Sequence, residues 1–360
     1  MSSLAALWPR EGIMHRQRRA SICLVLLAIG LVAIMFWSLT VGAASPPVLP
    51  VVASWLGMGD PAGVRPAGII ILEQIRLPRI IMGAIVGASL AVSGAILQGL
   101  FRNPLADPTI VGVSAGAILG AVTVIVLGAT VFPAFTKLAG AFAIPVAAFS
   151  GALAVAFLLY RLATRSGQTS VATLLLAGIA TNAFGIALTG ILIFLADDAQ
   201  LRELTFWSLG SLAGATWEKV FSGGLIMLVS MAAVPFVASA LNALSLGEAA
   251  AGHMGIDVQK MKNISILCAA GATGAAVAVS GGIGFIGIIV PHLLRISLGP
   301  DNRFLLPAAA LLGGILLVLA DSISRTIVAP TELPIGIVTA LAGAPVFISI
   351  LLRRRNMIEL

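Results

Sequence analysis

Ile80 to Phe101 reads IIMGAIVGASLAVSGAILQGLF, an uncharged run closed at its two ends by Arg79 and Arg102. As a helix rising about 1.5 Å per residue, such a run crosses the roughly 30 Å hydrocarbon core of a bilayer. The rest of the chain is built in the same way. Of 360 residues 59% are apolar, another 39 are Gly, and 10% are charged. Soluble domains hold roughly 45–50% apolar residues with Gly counted in, and about 25% charged. No compact soluble domain has enough interior to hide so much apolar surface, so lipid is the solvent for most of this chain. Disorder, a disulfide scaffold and a nucleic-acid binder are excluded together, because each needs polar, cysteine-rich or basic surface that this composition lacks.

Ten apolar segments of span character are predicted, at approximately residues 22–42, 79–101, 110–128, 140–160, 171–195, 221–243, 264–280, 284–298, 304–320 and 334–352. Between them stand turn formers such as Asn103-Pro104, Asp107-Pro108, Gly281-Gly282 and Ala329-Pro330. The longest polar-tolerant stretch, about 43–78, is too short for a core of its own, so residues 1–360 are read as one all-α polytopic membrane domain. The first segment follows Arg16, Arg18 and Arg19 and precedes Val41-Gly42-Ala43-Ala44, which resembles a secretory signal. Its apolar run, Ile22 to Thr40, exceeds the roughly 7–15 residues of a signal core, so a membrane span is the reading.

Ten spans return both termini to one side. With the termini inside, 14 Lys and Arg lie inside and 7 outside, as the positive-inside rule expects. The net charge of +7 therefore marks the cytoplasmic side, beginning with the segment 1–21. Gly83 and Gly87, and then Gly112, Gly116 and Gly120, recur at a four-residue spacing that lets neighbouring helix backbones approach. Few ionisable groups fall deep in the spans. Asp321 and Glu332, near span ends, are expected to reach an interface or a loop, and a proton relay has little to run on. Cys23 and Cys268 sit in separate apolar runs and read as packed thiols rather than as a disulfide or metal ligands.

Three chemical patterns are tested against their context. Gly282, Gly284 and Gly287 match the dinucleotide fingerprint, but a membrane segment follows and no strand is predicted before them. Gly112-Val-Ser114-Ala-Gly116 matches the nucleophile elbow, with His292 as the histidine near a span. An intramembrane serine hydrolase would still need an acid partner and an oxyanion loop, so packing is the reading. No phosphate loop occurs, so the chain cannot hydrolyse ATP in that way by itself.

Four stretches then acquire meaning together: Arg76-Leu-Pro-Arg79; Gln98-Gly-Leu-Phe-Arg-Asn-Pro-Leu-Ala-Asp-Pro108 running into Gly112-Val-Ser114; Gly284-Phe-Ile-Gly-Ile-Ile-Val-Pro-His-Leu-Leu-Arg295; and Glu332-Leu-Pro-Ile-Gly336 with Gly343-Ala-Pro345. In this order they resemble the ten-span permeases of bacterial ABC importers for iron siderophores, haem and cobalamin. The resemblance implies a non-catalytic type II importer permease in the bacterial inner membrane, with ten transmembrane helices per chain. It also implies a second copy of the chain, two separate ATP-binding subunits that carry ATP and Mg, and a periplasmic substrate-binding protein. No cofactor or metal is expected on the chain itself. Phe206-Trp207 to Trp217, and Arg325 to Pro330, look most like the haem permeases; ferric siderophore is the alternative, then cobalamin, and an ATPase-independent channel is the remote one.

The resemblance also implies roles. Arg76, Arg79 and Arg325 would face carboxylates of the binding protein at the outer side, or else anchor helix ends at headgroups. The cytoplasmic loop 244–258, with Leu246, Gly247, Glu248, Ala249, Ala250 and Gly252, would couple to the ATPase. Thr169 and Ser170 would close the pathway at the cytoplasmic end, and the fifth span, through Leu174, Gly178 and Asn182, would line it. Relatives carry Asn where this chain has Ala115, which puts a gating role there in doubt. For haem, His15, His253, His292 and Tyr160 all fall toward the cytoplasmic side, so the outer pathway is expected to handle a porphyrin by shape and apolar contact, with the three arginines available to its propionates.

Overall fold

The computed structural model describes residues 10–358 except 43, 45, 56, 59–65, 109–111 and 166–167, with side chains described from 16 to 349. It opens with α1 (Arg10–Thr40), one unbroken helix from the basic segment through the apolar run. Short α2 (Val48–Trp55) and α3 (Pro66–Ile70) follow, and a π-helical turn at Ile71–Arg76 leads into α4 (Leu77–Leu100). Pro78 accounts for that turn. Without an N–H it cannot bond back to Gln74, and the N–H of Leu77 reaches five residues back to the carbonyl of Leu72.

Next come α5 (Val113–Leu127), α6 (Pro133–Ala139) and α7 (Ala143–Ala163). A hairpin of two-residue strands, β1 (Thr164–Arg165) and β2 (Gln168–Thr169), turns the chain into α8 (Val171–Leu195). The remainder runs α9 (Asp198–Ser208), α10 (Trp217–Met231), α11 (Val234–Leu244), α12 (Glu248–His253), α13 (Val258–Ser280), α14 (Ile286–Leu298), α15 (Asn302–Ser324) and α16 (Ile335–Ile358). Ser170, Asp197, Thr216, Asp257 and Asp301 each accept a first-turn N–H, so side-chain caps start five of these helices.

Each predicted segment falls on helix, but their lengths differ in a way the sequence reading did not anticipate. Among the described residues six helices are long and apolar enough to cross a membrane: 16–40, 66–100, 133–163, 171–195, 258–280 and 302–324. A seventh results if α10 and α11 count as one span bent by 40°. Pro235, in the first turn of α11, removes an N–H from the helical ladder at that bend. The apolar helices at 113–127, 286–298 and 335–349 are shorter. The stretch before α14, residues 281–285, is irregular, with Gly281 and Ile283 buried. Ser211 N–H donates to Ser280 O (2.8 Å), Ile335 N–H to Gly210 O (3.0 Å) and Gly336 N–H to Leu209 O (3.0 Å), so three connecting segments stitch one another together.

α4 is the centre of the bundle, packed against α15, α13, α14 and α10, while α1 lies on α15 and α5 sits between α7 and α8. Small residues make these crossings close. A methyl group placed on Gly94 would lie 1.9 Å from the carbonyl oxygen of Gly287, and one on Gly87 would lie 2.2 Å from that of Gly313. Gly116 meets Gly151, and Gly120 meets Ala147, in the same manner. The expected glycine packing is therefore present, and Gly287 of the dinucleotide-like pattern serves it. Gly112 contributes differently: it caps α5 at φ +84°, and a methyl group there would lie 3.3 Å from the Gly178 carbonyl oxygen of α8.

Candidate functional site

The bundle carries a polar cluster at each end. Arg79, in the first turn of α4, donates through Nε to Asp321 Oδ1 at 2.9 Å and through Nη1 to both oxygens of Glu332 at 2.8 and 2.9 Å. Arg325, just past α15, sets Nε 3.1 Å from Asp321 Oδ2 and Nη2 2.7 Å from Ser38 Oγ of α1. Arg76 donates to the carbonyls of Leu39 and Ala44. The three arginines are only 4–6% exposed. Asp321, expected at an interface, is 1% exposed and serves two guanidinium groups at once. Burial pulls the Arg325 pKa below its ordinary value, while Asp321 pulls it up. As placed, the three arginines bind α1, α4, α15 and the 325–334 loop to one another, and their donors face protein groups rather than an outer partner. Arg325 is a helix-end residue and not a free loop residue. The sequence reading missed the pairing, because Arg79 and Asp321 are 242 positions apart.

The second cluster lies at the opposite end. α13 runs from Lys262 toward Ser280, whose carbonyl holds Ser211, and Leu212 lies against Gly83, one turn from Arg79. At the start of α13, the Lys262 ammonium sits 2.7 Å from Glu248 Oε1 of α12 and donates to Thr169 O at 2.9 Å. Gln259 accepts from Thr169 N–H at 2.8 Å, donates to the Thr169 hydroxyl and donates to Asn263 at 2.9 Å. Asn263 in turn donates to Tyr160 Oη at 3.1 Å. Thr169 is 3% exposed, and the neighbouring Ser170 caps α8. Lys262 and Gln259 were not singled out from the sequence. Their i, i+3 spacing at a helix start was the available signal.

Leu246 is 70% exposed and Met254 53% exposed on either side of α12. Glu248, Ala249, Gly252 and His253 are exposed too, whereas Gly247 and Ala250 are half-buried. Gly247 takes φ +112°, which favours glycine, and a methyl group on Gly252 would meet nothing within 4 Å. The segment 246–254 is thus a projecting apolar edge fastened by Glu248 to the second cluster.

α8 divides into two faces. Leu174 and Gly178 are buried and Asn182 half-buried, and Gly178 O and Asn182 N lie close to Gly112 of α5. These three hold α8 against its neighbours, while Leu176, Ile179, Phe184 and Ile186 form its open face. Ala115 is 6% exposed, with Gly185 of α8 packed against it, so a larger side chain at 115 would push α5 from α8. The loop beyond α8 leads into α9, where Phe206 is 58% exposed and the exposed Arg202 forms no ion pair with a described residue.

A family model described as the FecCD transport family matches residues 30–353. The hemin transport system permease protein HmuU of Yersinia pestis is 45% identical over 79% of this chain and 83% of its own length. The cobalamin import system permease protein BtuC of Halobacterium salinarum is also 45% identical, over 80% of this chain and 75% of its own. A solved chain described as an inward-facing conformation of a metal-chelate type ABC transporter superposes with a TM-score of 0.79 at 30% identity, covering 92% of this chain and 98% of that one.

Proposed function

The chain belongs to the FecCD transport family as a non-catalytic ABC importer permease, and from that premise we propose that it passes haem into the cytoplasm by alternating access. In this reading two copies of the chain form the pathway between them, a periplasmic binding protein delivers the cargo, and two separate ATPase subunits with ATP and Mg drive the cycle. The ten-helix topology with both termini cytoplasmic belongs to the same reading, with three of its spans supplied by the shorter apolar helices. The observation that carries it is the pairing of opposed ends: a projecting edge at 246–254 that suits an ATPase groove, and an arginine-bound outer end that holds the 325–334 loop for the binding protein. The open face of α8, through Leu176, Ile179 and Phe184, suits the pathway and the second copy.

For the cargo, the two 45%-identical relatives are named for hemin and for cobalamin, both metal tetrapyrroles. Haem is favoured by the aromatic stretch from Phe206 to Trp217, with Phe206 and Arg202 exposed one turn apart on α9, an apolar ring surface beside a cation that suits a porphyrin with propionates. Arg76, Arg79 and Arg325 are less suited to that purpose, since Arg79 and Arg325 are buried against Asp321 and Arg76 against the carbonyls of Leu39 and Ala44. The test is ATPase stimulation and uptake in proteoliposomes by binding protein loaded with haem, cobalamin or a ferric siderophore. Stimulation by haem alone is expected, and stimulation by cobalamin alone overturns the haem reading while leaving the family intact.

A further inference from the structure

We infer that Lys262 is the positioning residue that joins the ATPase-facing segment to the cytoplasmic gate, an inference resting on the importer reading above. One ammonium group touches both parts. It sits 2.7 Å from Glu248 Oε1 in the first turn of α12, and 2.9 Å from the carbonyl oxygen of Thr169, the residue before the Ser170 cap of α8. α12 itself is short and projecting, and Glu248 has 49% of its side chain exposed, so a partner can reach and displace it. Lys262 has only 6% exposed and stands in the first turns of α13, from which Gln259 also holds Thr169, so α12, the start of α13 and Thr169 meet at this side chain.

Both contacts are charge-assisted, and neither tolerates stretching by much more than about 1 Å before the hydrogen bond is lost. A displacement of α12 therefore either draws Thr169 with it through the ammonium or leaves a buried charge without its partner, the outcome that a low-exposure site disfavours. Thr169 cannot yield alone. Its N–H and hydroxyl are held by Gln259, its hydroxyl also meets that of Thr164 at 2.8 Å, and Ser170 N–H is bonded to Ala163 O at 2.9 Å. β1, β2 and the first turn of α8 are thus tied to the start of α13 and move with it. A methionine at 262 would fill the same space with no charge to leave unpaired, while its absence of donors would cut both contacts.

The experiment uses the complete reconstituted transporter with Cys23 and Cys268 replaced by Ser. Spin labels are placed at Ala249→Cys on α12 or at Gln168→Cys on the hairpin, and distances between symmetry-related copies are read with and without ATP. In the chain with Lys262 both distances are expected to change on ATP binding. In Lys262→Met the distance at 249 should still change while that at 168 stays fixed, and transport per ATP hydrolysed should fall about tenfold or more. Lys262→Arg should restore much of both. Movement at 168 in Lys262→Met equal to that of the parent chain would overturn the inference and leave the importer reading standing. Movement at neither position in the parent chain would overturn the coupling reading and this inference with it.

Discussion

Asp321 accepts from Arg79 and forms an ion pair with Arg325 while 2% of its side chain is exposed, and Asp321→Asn would leave two buried guanidinium groups short of a counter-charge. Breaking a buried pair in this way costs about 3–5 kcal/mol. Glu332 bonds the same Arg79 but has 39% of its side chain exposed, so Glu332→Gln should cost less than about 1 kcal/mol. Thermal unfolding of the purified protein in detergent distinguishes the two, and equal losses would refute the assignment of Asp321 as the centre of the cluster. Arg79→Glu would place a third carboxylate between Asp321 and Glu332, so it is expected to fail in assembly before any docking rate can be read. Arginines at these positions were legible in the sequence, and so was a carboxylate near the end of the ninth apolar segment. Their mutual neutralisation was not, because nothing within one turn of Arg79 records that residue 321 folds back beside it.

The elements of the bundle owe their separations to glycine. Gly94→Ala would force a methyl group to within 1.9 Å of the Gly287 carbonyl oxygen between α4 and α14, an overpacking expected to cost about 1–3 kcal/mol or more. Gly190→Ala on α8 meets nothing within 4 Å and should be neutral or slightly stabilising in the same melting experiment, since Ala outranks Gly in helix propensity, so a loss there matching that of Gly94→Ala would remove crossing distance as the cause. On the segment proposed to couple to the ATPase, Gly252→Trp projects into open space, so it should leave stability within about 0.5 kcal/mol while abolishing binding-protein-stimulated ATP hydrolysis. Retained stimulation would remove α12 from the ATPase contact. Gly247 offers no such separation, since its φ of +112° strains any side chain placed there. The four-residue glycine spacing announced close packing, but it did not distinguish Gly112, a positive-φ cap beside α8, from Gly116 and Gly120, helical residues against α7.

For the whole molecule the orientation is testable directly. Reporter fusions after Arg165 and after Lys262 should read as cytoplasmic, and after Lys137 and Asp198 as periplasmic. A periplasmic reading at Lys262 would place the coupling segment on the wrong side of the membrane and end the importer mechanism for α12. The sequence by itself determined that lipid is the solvent, where the apolar segments lie, that no phosphate loop is present and to which transport family the motifs point. All of these are local, since composition, run length and short motifs are written in neighbouring residues. Only the tertiary structure decided that Arg76, Arg79 and Arg325 face inward, that Leu174, Gly178 and Asn182 hold α8 to α5, that Pro235 stands at a 40° bend, and that Lys262 reaches both Glu248 and Thr169. The physical reason is that an apolar helix carries little directional information along its length. Lipid tails are as apolar as leucine, so which face turns inward depends on the small residues and buried charges of other helices far away in the chain.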